Sequence, residues 1–83
     1  MPYIEPDRRP PLDAHIVPLA HEILSPGELD YSIMRLVNHY ATPHSFTNFA
    51  TVVGVLILVT SEFVRRVVNP YEDKKMARNG DVL

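Results

Sequence analysis

Arg65 and Arg66 stand side by side, and Tyr71, Lys74 and Lys75 follow at short range in the stretch EFVRRVVNPYEDKK. Guanidinium groups fork onto phosphate or carboxylate oxygens through paired hydrogen bonds, and lysines add point charge. A phosphate, or a partner's carboxylates, is the ligand that such a grouping would take. Glu62, Glu72 and Asp73 lie among the same cations and compete for them. Spacing also supplies a local account. Glu62 falls three residues before Arg65 and four before Arg66, the separations at which ion pairs form on one helix surface, worth a few tenths of a kcal/mol each.

Other chemistry fails on spacing. His21-Glu22 begins like the helix of a zinc protease, but Ser25 stands where the second histidine belongs. His15, His21, His39 and His44 follow no ligand pattern, and no nucleophile elbow surrounds any serine. Three glycines make no phosphate-cradling loop. Glu28 and Asp30, with Glu72 and Asp73, are the remaining acid set, and would suit a magnesium site in an all-helical nucleotide hydrolase. Such sites place Glu-x-x-Glu and Glu-x-x-Asp pairs on inner helix faces, whereas Glu28 and Asp30 are two apart at a helix start. The expectation is therefore a protein that is not an enzyme, with no cofactor and no metal. The alternative is a small-molecule or phosphate binder, or such a hydrolase, using Arg65, Arg66, Lys74 and Lys75.

The elements that must position these residues read as helices. SPGE opens one: Ser25 caps, Pro26 suits the first helical position, and Glu28 completes a capping box. Leu29, Ile33, Leu36, Val37 and Tyr40 then trace one apolar stripe, which predicts a helix over about 28–41 ended by ATPHS. Upstream, Leu12, Ile16, Leu19 and Ile23 share a face and predict a helix within about 13–25, kinked at Pro18 or begun beside it. Pro2, Pro6, Pro10 and Pro11 predict an extended arm over 1–11. A third helix runs from about 46 to 68, capped by Ser45 or Thr47. Asn69-Pro70 should stop or bend it, with Asn69 capping a short helix over about 70–78 and Glu72 in its capping box. Asn79-Gly80 is the stop signal.

The third helix carries the main inference. Phe49, Val52, Val53, Leu56, Phe63, Val64 and Val67 project onto one face at 100° per residue. Val55, Ile57 and Leu58 point elsewhere, and a helix apolar nearly all round must be buried nearly all round. Two short helices can hardly cover it, so the excess predicts a homodimer interface with Val55, Leu56 and Leu58 at its centre. Ala50, Thr51, Gly54 and Ser61 cluster on one side, where a second backbone, of another copy or of this chain, could approach. Arg65, Arg66 and Tyr71 are the residues for a polar protein partner.

The totals agree with this. Eighty-three residues make one helical domain, and a chain of that size buries only about 60% of its unfolded surface. The absence of cysteine removes disulfides and thiolate metal sites as reinforcement. A net charge of -2 gives no general attraction to nucleic acid or anionic lipid, and no helix-turn-helix spacing is evident. Residues 45–61 carry no charge, but a spanning helix needs about 20 mostly apolar residues, and Ser45, Thr47, Asn48, Thr51, Thr60 and Ser61 interrupt this run. A buried helix of a soluble protein is the expectation, with no membrane partner. MPYIEPDRRPPLD does not read as a signal sequence, which makes the cytoplasm the expected location. The fold expected is thus a small all-α bundle of three main helices, a short C-terminal helix and an N-terminal arm.

Taken together, MPYI with Asp7-Arg8, PGELDY, VVGVL, EFVRRVVNPYEDKK and NGDVL resemble a small uncharacterised family of about this length from prokaryotes and their phages. The resemblance spans nearly the whole chain and implies no established activity. Its relatives often carry an acid where Ile57 stands, a lysine where Ser61 stands and a tyrosine where Val64 stands. This chain is more apolar along the third helix, which points to a larger interface and away from a shared polar site there.

Overall fold

A computed structural model describes residues 4–83, and every regular element among them is helical. A single 3-10 turn, Pro6–Arg8, leads into α1, Arg9–Glu22; α2 spans Pro26–Tyr40 and α3 Phe46–Phe63. A five-residue π-helical segment, Val64–Val68, joins α3 to α4, Asn69–Asn79. The chain divides into two units, Met1–Asn38 and His39–Leu83.

The first unit corrects the expected arm. Met1, Pro2 and Tyr3 lie outside the described residues, and Glu5 is extended, but helical structure begins at Pro6 and α1 begins at Arg9. Pro10 and Pro11 fall in the first turn of α1, where backbone N–H groups have no intrahelical acceptor and a proline loses nothing. Their fixed φ starts the helix rather than preventing it. Pro18 lies inside α1, which continues through it to Glu22 and ends there, because Ile23 is extended at ψ 119°. The next helix opens as expected. The Ser25 hydroxyl accepts the Glu28 amide at 3.1 Å, and the Glu28 carboxylate accepts the Leu24 amide at 2.8 Å.

In the second unit, Ala41 is the one buried hydrophobic residue among those described. It leads into a turn containing a cis Thr42-Pro43 bond. Ser45 caps α3 by accepting the Asn48 amide at 3.1 Å. The Asn48 side chain in turn donates to the Pro43 carbonyl at 2.7 Å and the Ala41 carbonyl at 3.4 Å, tying the turn to the helix start.

At Asn69-Pro70 the expected stop is not found, although α4 occupies the place of the short C-terminal helix expected there. Asn69 is helical, at φ -62° and ψ -47°, and caps nothing; the residue ahead of α4 is Val68, with no side-chain cap, so Glu72 has no capping box to complete. In a regular α-helix the Pro70 ring would press on the carbonyl four residues back, which would also lose its donor. The π segment avoids this by shifting the ladder one residue early: the Asn69 amide donates to the Val64 carbonyl, five residues back. Helix therefore runs unbroken from Phe46 to Asn79, 34 residues. It ends where expected, at Gly80, whose φ of 88° suits glycine and whose amide donates to the Met76 carbonyl at 2.8 Å.

Candidate interaction surface

The surface of α3 is built from side chains that leave it almost without polar handles. Thr51 donates its hydroxyl to the Thr47 carbonyl and Thr60 to the Leu56 carbonyl, both at 2.9 Å. Each bond folds a hydroxyl back onto its own helix, the usual way a threonine is accommodated in a helix interior. Between them, Val55, Leu56 and Leu58 are 51%, 36% and 61% exposed, and Ile57 and Val59 are exposed with them. A methyl group built on Gly54 would meet nothing within 4 Å, so that side of the helix is open to the close approach of another backbone.

Polar residues gather where α3 gives way to the π segment. One Glu62 carboxylate oxygen takes the Arg65 guanidinium at 3.1 Å and that of Arg66 at 3.5 Å, as the three- and four-residue spacings require. Both arginine side chains are well exposed, at 70% and 63%. Water and salt screen such pairs, which contribute a few tenths of a kcal/mol at most. Further on, the Lys75 ammonium sits 5.5 Å from the centre of the Tyr71 ring, one helical turn back. That is a cation–π contact at an exposed site, worth about 0.5–1 kcal/mol. Arg65 and Arg66 thus engage an acid of their own helix, while Lys75 engages Tyr71. Among the described residues, no group of three or more His, Asp or Glu side chains is placed to hold a metal ion.

Sequence reasoning missed two features. The π segment left one trace, an eight-residue step from Phe63 to Tyr71 where steps of seven (Phe49, Leu56, Phe63) precede it. The Asn48 clamp left none, because an asparagine in a first helical turn has many ordinary uses.

An all-helical chain with one long apolar helix is the class that the described residues define. The chain belongs to the family DUF6899, a domain of unknown function, which matches residues 1–82. No curated protein matches it, and no solved structure does.

Proposed function

We propose that this chain is a cytoplasmic, non-enzymatic helical protein that acts through protein contacts and pairs with a second copy of itself along α3. The observation that carries this reading is the exposure of Phe49, Leu56 and Val59 on one side of a helix together with Val55, Ile57 and Leu58 on its other sides. Lengths support it. The helix from Phe46 to Asn79 has 34 residues, about 51 Å at 1.5 Å per residue. With 14 and 15 residues, α1 and α2 are each about 22 Å long, so neither spans half of it however the chain is arranged. A three-helix bundle formed by one copy would leave much of the long helix bare, and a second copy brings another helix of the same length and chemistry. Light scattering on the full chain tests the reading through its mass in solution.

The same helix gives a second reading its one specific support, because it is long and apolar enough to cross a membrane by length and composition. Its charge-free part, from Phe46 to Ser61, is 16 residues or about 24 Å, short of a hydrocarbon core of about 30 Å. Glu62, Arg65 and Arg66 follow at once. Recovery of the protein in the membrane fraction, resistant to alkaline wash, would favour that reading over pairing in water. Anion binding at Arg65, Arg66, Lys74 and Lys75 is the remaining alternative, and Glu62 already competes for two of those cations. A nucleotide-induced thermal shift abolished by Arg66→Ala would favour it.

A further inference from the structure

We infer that the π segment at Val64–Val68 keeps the self-association surface in phase across Pro70, so that the contact with the second copy runs on through Val68 to Tyr71. This inference rests on the pairing proposed above and adds where that contact ends and what sets its register.

The phase argument needs only the period. Phe49, Leu56 and Phe63 recur every seven residues, and Val52 and Val59 fall three after the first two. These are the positions that meet a partner when two helices lie side by side; of Val55, Leu56 and Leu58, the stripe takes in Leu56, while Val55 and Leu58 project off it. Continued as regular α-helix, the stripe would next meet Arg66, then Pro70 and Asp73: a cation, a ring without an amide, and an acid. Val68 and Tyr71 would face away. The structure does not continue that way. The hydrogen bond from the Asn69 amide to the Val64 carbonyl spans five residues instead of four and takes in one extra residue. Each later residue therefore takes the direction its predecessor would have had. Val67 and Val68 come round to the stripe above Phe63, and Tyr71 takes the place seven positions on. Lys75, half-buried, lays its ammonium over the Tyr71 ring and closes the stripe with an apolar stem under a charged head.

Size argues for the same extent. In a pair of helices about four of every seven residues touch or flank the partner. The 18 residues of α3 supply about ten such positions. A standard protein interface uses about 20–30 residues a side. The rephased helix from Phe46 to Asn79, 34 residues long, supplies about 19 and reaches the edge of that range. Phe63 and Tyr71, each 57% exposed, are the two largest apolar side chains that this extension brings onto one line.

The test compares self-association of the full chain with that of three variants by sedimentation equilibrium, with helix content followed by circular dichroism. Val68→Lys and Tyr71→Lys are expected to weaken pairing by about tenfold or more, the effect of placing a charge in an interface core. A single alanine inserted between Arg66 and Val67 is expected to do the same by turning Tyr71 off the stripe. Unchanged association in the three variants, with a wild-type chain that pairs, would overturn this inference and leave the pairing itself standing. A wild-type chain that is monomeric would overturn the pairing and this extension together. Helix content should stay near wild type in all three, because each change lies on an exposed helix; if it collapses in one, the other two decide.

Discussion

The Asn69 amide donates to the carbonyl of Val64, five residues back, and this one bond lets the helix that began at Phe46 continue past Pro70 to Asn79. A chain of 83 residues thus commits 34 of them to one helix. A lone helix cannot shelter its own sides, and this one is apolar on most of them. Its fold and its proposed function meet at that point.

Leu56 is 36% exposed and lies on the apolar stripe within the charge-free run. Leu56→Glu is expected to abolish self-association at micromolar concentration, because a carboxylate would be buried without a partner. Sedimentation velocity would show a single slower species. Unchanged sedimentation would place the contact elsewhere on the helix.

Gly54 separates helix stability from association. With nothing near its missing Cβ, Gly54→Ala should stabilise the helix by about 1 kcal/mol in the single chain. Gly54→Leu should weaken pairing if a second backbone comes close at this point. Chemical denaturation at two protein concentrations reads both effects.

The start of α3 depends on Ser45 and Asn48. Ser45→Ala removes the acceptor for the Asn48 amide and should cost about 1 kcal/mol in urea unfolding. Asn48→Ala removes the two side-chain bonds to the Pro43 and Ala41 carbonyls. It should cost a similar amount, about 1 kcal/mol, and loosen the turn, seen as faster amide exchange over 41–46.

Glu62→Gln should matter little to stability, by less than about 0.5 kcal/mol, because its arginine partners are exposed. It frees two guanidinium groups of their acid. If the anion reading holds, the variant should bind phosphate or nucleotide more tightly than wild type by calorimetry; an unchanged, undetectable heat would count against that reading.

Much of the fold was legible in the chain. The Ser25–Glu28 box, the Ser45 cap and the glycine stop at Gly80 each fixed a helix boundary through a local hydrogen bond that needs no tertiary partner. Proline was misread twice, for one reason. A proline read by itself ends or prevents a helix, but Pro10 and Pro11 occupy amides that a helix start leaves unpaired, and Pro70 is accommodated by a ladder that slips one residue before reaching it. Whether a proline breaks a helix depends on which carbonyl it would orphan, and single-residue preferences do not carry that information. The candidate surface rests on charge and period, because a run without ions that is apolar nearly all round is costly to leave in water. Its continuation past Pro70 was hidden, because at 100° per residue Tyr71 and Val68 project away from where the π segment carries them.

The mass of the full chain in solution tests the central claim most directly. Light scattering at micromolar concentration in detergent-free buffer should give about twice the 9.4 kDa of one chain. A stable, well-dispersed species of 9.4 kDa under those conditions would contradict it.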